Sequence, residues 1–187
     1  MTRVIGGFLK GRKLSTPEGM DTRPTMDRTK EALFGSIQFD VPQCRFLDLF
    51  AGSGGIGIEA VSRGAASLDL VEKDPRAIRV IRQNLKDLGI ENCSRLWTQD
   101  VEKALVLLEE SHRQFDIIFM DPPYHKGFEE KIGTLVAAGS LLADSGMLII
   151  ESSTETDFML PKMECFKVKT YKTAKFSFFR KQPEGAL

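Results

Sequence analysis

Short apolar runs alternate along the chain with longer stretches in which apolar side chains recur every three or four positions. The runs are Arg45–Phe50, Leu68–Glu72, Ser94–Thr98, Phe115–Met120 and Met147–Glu151, and they read as strands. Between them, Gly55–Arg63, Pro75–Leu88, Val101–Glu110 and Glu129–Ala138 read as helices. The second has both punctuation marks of a helix: Asp74 as N-cap before a proline in the first turn, and Gly89 to close it. Strands alternating with helices predict an α/β fold with a parallel sheet covered on both faces. The last part of the chain differs. Cys165–Thr170 and Ala174–Arg180 are strand-like and joined by only about three residues, too few for a parallel crossover. The parallel sheet is therefore expected to end in an antiparallel hairpin.

The first twenty residues carry Gly6-Gly7 and Gly11 and read as a short hairpin with basic residues at its turn. Residues 25–38 read as a helix, with Thr25 or Asp27 as its cap and Ala32, Leu33 and Ile37 as an apolar stripe. The expected organisation is one domain: a hairpin extension over residues 1–24 and a core over 25–187. A hydrophobic content of 42% with 28% charged residues suffices for a packed interior. No apolar run is long enough for a membrane helix, and the opening residues lack the apolar centre of a secretory leader. Cys44, Cys93 and Cys165 form neither a disulfide framework nor a zinc spacing. These features lead us to expect a cytoplasmic, monomeric protein with no metal site and no membrane partner.

Net charge is zero, but it is unevenly placed. Residues 1–30 carry +4, residues 162–187 carry +5, and the stretch between them carries −9. If the two ends share a face, Arg12, Lys13, Lys172, Lys175 and Lys181 are candidates to contact phosphates of a nucleic acid.

Phe50-Ala51-Gly52-Ser53-Gly54-Gly55-Ile56-Gly57 lies between the first strand and the first helix of the alternating region. Its glycines permit a tight turn and close approach of a ligand to the backbone. Glu72 follows at the end of the next strand, where a carboxylate can accept both hydroxyls of a ribose. That pattern suits a nicotinamide dinucleotide or S-adenosylmethionine. Asp48 favours the second, because a carboxylate beside the loop repels a pyrophosphate and attracts the ammonium of a methionine. Asp100, next to Val101 at the end of the third strand, is placed to accept from an adenine amine or to cap the following helix.

Asp121-Pro122-Pro123-Tyr124 follows the fourth strand. An exocyclic amine on a nucleobase is a poor nucleophile because its lone pair is delocalised into the ring. Asp121 and the Pro122 carbonyl can each accept one N–H, which turns the lone pair toward a methyl donor. Tyr124 can stack on the base, and Asp121 can take the departing proton. The same chemistry serves guanine N2, adenine N6 and protein glutamine. His125 lies beside this motif, whereas His112 follows a helix end.

Three blocks carry a resemblance over nearly the whole chain: Arg23-Pro24-Thr25-Met26-Asp27-Arg28 with Glu31, Leu33 and Phe34; Asp48 to Gly54; and Asp121 to Tyr124. With them, Arg3 to Gly7 and Gly11 to Leu14 resemble the N-terminal hairpin of the bacterial 16S ribosomal RNA guanine-N2 methyltransferases that modify guanine 966. Many members of that family have Phe where Tyr124 stands. The resemblance implies a Rossmann-like class I methyltransferase with a seven-stranded sheet. It implies that Gly52, Ser53, Gly54, Glu72 and Asp100 line the cofactor, and that Thr25 and Arg28 close over its methionine end. It makes S-adenosylmethionine the cofactor, and 16S RNA or the small ribosomal subunit the partner. N6-adenine methylation and a non-catalytic role in ribosome assembly are the alternatives.

Overall fold

A computed structural model describes residues 2–17, 24–124, 126–172 and 174–182; of residues 24–26 it describes the backbone only. Two strands, β1 (Thr2–Arg3) and β2 (Lys13–Leu14), pair antiparallel and open the chain. The helix α1 (Pro24–Ser36) follows. The alternating region then runs β3 (Arg45–Asp48), α2 (Gly55–Ser62), β4 (Ser67–Val71), α3 (Pro75–Leu88), β5 (Ser94–Trp97), α4 (Val101–Glu110), β6 (Phe115–Met120), α5 (Phe128–Ala138) and β7 (Leu142–Ser153). β8 (Met163–Tyr171) and β9 (Ala174–Lys181) end the described chain. The seven main strands order as β5-β4-β3-β6-β7-β9-β8. β3 to β7 are parallel, and β9 runs antiparallel to both β7 and β8. The expected antiparallel ending is present, with its second strand inserted beside β7.

Alternation of side chains across the pleat splits the interior into two layers. Phe46, Leu68, Leu70, Ile117, Phe119, Ile149, Phe176 and Phe178 face α1, α2, α3 and the N-terminal hairpin. Leu47, Val71, Ile118, Met120, Leu148, Ile150 and Phe179 face α4 and α5. Gly57 allows α2 to seat on the first layer, since a Cβ there would lie 2.6 Å from Leu68. The hairpin is fastened to α2 through the buried Glu59, whose carboxylate accepts from the Ile5 and Gly6 amides at 2.8 Å each and from Arg63. α1 has no basic residue in its last turn. Lys167 and Lys169 of β8 supply the missing donors, reaching the Ser36 carbonyl at 3.2 Å and the Ala32 carbonyl at 3.1 Å.

Two boundary expectations need correction. α1 begins at Pro24, so Thr25 and Asp27 lie inside its first turn and neither occupies the N-cap position; Asp27 pairs with Arg3 at 3.2 Å. β7 begins at Leu142, five positions before Met147. A bulge between the Phe115 and Ile117 pairings absorbs the polar Asp144-Ser145-Gly146 stretch that interrupts its apolar run. α3 has the caps read from its sequence: Asp74 accepts from the Arg76 amide at 2.8 Å, and Gly89 adopts φ 67°. No helix among the described residues is long and apolar enough to cross a membrane.

Candidate active site

Parallel strands all present their carboxyl ends to one edge of the sheet, and that edge opens here into a cleft of about 1180 Å³. The ends of β3, β4, β6 and β7, and the start of α4 after β5, each contribute an acidic residue to it: Asp48, Glu72, Asp121, Glu151 and Asp100. Sequence-predicted residues that line the cleft are Asp48, Gly52, Ser53, Glu72, Asp100, Val101, Asp121, Pro122 and Tyr124. Gly54 does not line it; its φ of 80° makes the turn that starts α2. Arg28 is exposed and outside the lining, while its neighbours Thr29 and Lys30 are within it. The Thr25 side chain and all of His125 lie outside the described residues.

On the glycine-loop side, Glu72 is held in a fixed orientation. One carboxylate oxygen accepts from the Gly52 amide at 2.8 Å, and the other from the Lys73 and Asp74 amides at 2.8 Å each. Asn84 of α3 donates to the Ser53 carbonyl at 3.1 Å and exchanges two hydrogen bonds with Ser15, tying loop, helix and hairpin together. Asp48 is buried, and burial with Asp121 and Glu72 nearby pushes its carboxyl up to about 7. Asp100 accepts from the Lys103 amide at 3.2 Å and caps α4 while still lining the cleft.

Gln99 and Lys30 are among the lining residues not anticipated from sequence. The Gln99 side-chain oxygen is buried with no hydrogen-bond partner among the described residues, an acceptor waiting for a donor. Lys30 is 1% exposed and donates to the Arg3 carbonyl at 2.8 Å, with burial holding its ammonium below the usual lysine range. Lys30 has a recognisable signal, because it stands one turn before Leu33 and Phe34 on the buried stripe of α1.

On the other side, Asp121, Pro122 and Tyr124 leave β6 together. The Asp121 side chain is open to the cleft, and desolvation between the cleft walls, with the charge of Glu129 nearby, pushes its carboxyl up to about 6. The Tyr124 ring is exposed to the cleft at 39%, and its hydroxyl is hydrogen-bonded to Glu151, which together with burial raises the phenol above its ordinary range. Phe50 and Phe128 meet at a tilt of 54°, their ring centres 5.9 Å apart, and both line the cleft.

The basic candidates are distributed. Register places Ala174, with Tyr171 opposite it, next to Ser153 at the cleft end of the sheet, so Lys172 and Lys175 lie there. Lys175 is already paired with Asp157 at 2.9 Å. Lys181 lies at the opposite end, paired with Asp144 at 3.0 Å, and Arg12 donates to the Asp87 carbonyl near the end of α3. Lys13 is exposed on β2. Lys172 and Lys181 therefore lie at opposite ends of the sheet.

Residues 2–180 match a family described as conserved hypothetical protein 95. Ribosomal RNA small subunit methyltransferase D of Escherichia coli K12 is 36% identical over 153 residues, 82% of this chain and 75% of that protein. A hypothetical protein of Thermus thermophilus has the same fold at a TM-score of 0.82 and 29% identity, covering 96% of this chain and 99% of its own. The T. thermophilus 16S rRNA N2 G1207 methyltransferase, solved with S-adenosylmethionine and guanosine, shares the fold alone, at a TM-score of 0.64 and 22% identity over 88% of this chain and 45% of its own.

Proposed function

The chain belongs to the family described as conserved hypothetical protein 95 and is a relative of ribosomal RNA small subunit methyltransferase D; on that premise we propose that it transfers a methyl group from S-adenosylmethionine to the exocyclic N2 amine of a guanine in 16S ribosomal RNA. One observation carries the reading: the acceptor pair of Asp121 and Pro122 opens into the same cleft as the orphaned Gln99 oxygen and the fixed Glu72 carboxylate.

The lining fits the cofactor part by part. The Gln99 oxygen and Asp100 offer acceptors to the adenine amine, Glu72 offers them to the ribose hydroxyls, and Asp48 offers a carboxylate to the methionine ammonium. Lys30 stands within reach of the loop at Gly55, 3.7 Å from where a Cβ would be, and supplies the cation for the methionine carboxylate. Bound there, S-adenosylmethionine supplies a methyl group on a positively charged sulfur. The protein's own contribution is at the base. Tyr124 stacks on the ring, while Asp121 and the Pro122 carbonyl hold the two N–H bonds of the amine and leave its lone pair directed across the cleft. As the amine takes up the methyl group, positive charge would build on its nitrogen, where the Asp121 carboxylate would stabilise it. Asp121 then accepts one amine proton and passes it to water.

Incubation of the protein with methyl-labelled S-adenosylmethionine and unmodified small ribosomal subunits tests the activity. The expected result is label in 16S RNA; label in neither RNA nor particle would refute it. Glu72→Ala should weaken S-adenosylmethionine binding in calorimetry by about 1.5–3 kcal/mol for each charge-assisted hydrogen bond lost. It also frees the Gly52 amide, so the melting temperature of the free protein should fall slightly. For the RNA, Lys172 is the basic candidate best placed, at the cleft end of the sheet. Lys172→Glu should lower affinity for small-subunit RNA and flatten its salt dependence, whereas Lys181→Glu should leave both unchanged. Equal salt slopes for Lys172→Glu and the unaltered protein would remove Lys172 from the interface.

A further inference from the structure

Glu151 is an acidic residue at the cleft that the methyl-transfer chemistry above does not use. Met120 pairs with Ile150 across β6 and β7, so the next residues out stand side by side, Asp121 just past the end of β6 and Glu151 two residues before the end of β7. Glu151 is half-buried and lines the cleft. Its carboxyl is hydrogen-bonded to the Tyr124 hydroxyl, which fixes it beside the ring that would stack on the base. No cation among the described residues neutralises it, and it lies next to a second carboxyl. Protonation relieves that repulsion, and the ionised form becomes favourable only when a donor beyond the Tyr124 hydroxyl reaches it.

Guanine carries such a donor. Its ring N1–H lies next to the N2 amine and points the same way, so a base whose amine reaches Asp121 presents N1–H to the neighbouring strand. Resting on the function proposed above, we infer that Glu151 accepts the N1–H of the target guanine, setting the rotation of the ring and selecting guanine over adenine. Adenine has a lone pair at N1, which an ionised Glu151 repels, leaving both groups unsatisfied. Glu151 is thus a specificity residue whose partner is the substrate, and Tyr124 positions it.

The pH behaviour follows from the same geometry. Burial and the adjacent Asp121 keep the proton on Glu151 up to about 8, so binding an N1–H donor must expel it. The charged groups facing this end of the cleft are Asp121 from β6, Asp48 from β3, Lys30 from α1, Lys126 before α5 and Glu129 within it, with Lys175 of β9 tied to Asp157. Those acting on the amine or the cofactor affect every substrate alike, and they cancel when two substrates are compared.

The test uses small-subunit particles reconstituted on 16S RNA carrying either guanine or 2-aminopurine at the methylated position. Both present the same N2 amine, but 2-aminopurine has a lone pair at N1. The unaltered protein should prefer guanine by about 10²-fold or more in kcat/KM above the titration of Glu151. That preference should shrink as pH falls through about 8, because a protonated carboxyl donates to the N1 lone pair. Glu151→Gln should narrow the preference to about tenfold or less and make it independent of pH, since an amide donates at any pH. An undiminished preference in Glu151→Gln, or a pH-independent one in the unaltered protein, would overturn the inference. Should Glu151→Gln lose its affinity for S-adenosylhomocysteine, the pH series on the unaltered protein decides alone. Absence of transfer to the guanine particle would instead remove the function on which the inference rests.

Discussion

Asp121→Ala should slow methyl transfer by about 10²–10³-fold, or roughly 3–4 kcal/mol, while S-adenosylmethionine affinity stays near that of the unaltered protein. The asymmetry follows from position. Asp121 leaves β6, whereas the Glu72 carboxylate and the glycine loop belong to β3 and β4. The loss belongs to the chemical step, because charge appears on the amine only in the transition state, so kcat should fall more than KM rises. Asp121→Asn keeps an acceptor oxygen and should retain more activity than Ala. It should also change the pH profile. The Asp121 carboxyl is pushed up to about 6, so its acceptor form fills as pH rises through that value, and the rate below it should fall with acid. Asn does not titrate, and that part of the acid limb should disappear. Single-turnover methylation, with cofactor binding measured in parallel, separates these effects. Near-normal turnover by a folded Asp121→Ala protein would contradict the mechanism.

Tyr124→Ala should act on binding and rate together. Stacking of a base on an aromatic ring is worth about 1–3 kcal/mol, or about 5- to 150-fold. The ring is exposed to the cleft, and its hydroxyl holds Glu151, so the alanine variant loses a stacking face and a positioning contact at once. kcat/KM on small-subunit particles should fall by at least the stacking share, with KM rising. Tyr124→Phe should recover the stacking share and leave Glu151 unanchored. Equal kcat/KM for Tyr124→Ala and the unaltered protein would show that the ring does not touch the base.

What could be read from the chain tracked how local the signal was. α3 was legible to its ends because its caps are neighbours in sequence: Asp74 closes onto Arg76, and Gly89 takes the left-handed conformation in place. The β8–β9 hairpin was legible because a three-residue link leaves no parallel alternative. The early start of β7 was hidden, because Asp144-Ser145-Gly146 reads as a turn until the bulge opposite Phe115 accommodates it. Glu59 and Asn84 were hidden too, and for Lys30 the buried position was readable but its partner was not. Their partners are hairpin amides and carbonyls, together with the Ser53 carbonyl, and only tertiary folding brings those close. In the site, the glycine loop, Glu72 and the Asp-Pro-Pro-Tyr turn stood out by composition. Glu151 did not, since an acid ending an apolar strand looks like any solvated strand end. A usable signal was present, because Asp48, Glu72 and Asp121 end neighbouring strands in the same way, and Glu151 completes the series. Summed charge misled most about the basic ends. Register sends Lys172 to the cleft end and Lys181 to the other, where Asp144 pairs with it.

The central claim is that this cleft methylates N2 of a guanine in 16S RNA, and the identity of the modified nucleoside tests it most directly. Unmodified small ribosomal subunits are incubated with the protein and S-adenosylmethionine, and the 16S RNA is digested to nucleosides and analysed by mass spectrometry. The expected product is new N2-methylguanosine, at one molecule or less per particle and formed about 10²–10³-fold more slowly with Asp121→Ala. New N6-methyladenosine in its place, or no new methylated nucleoside at all, would contradict it.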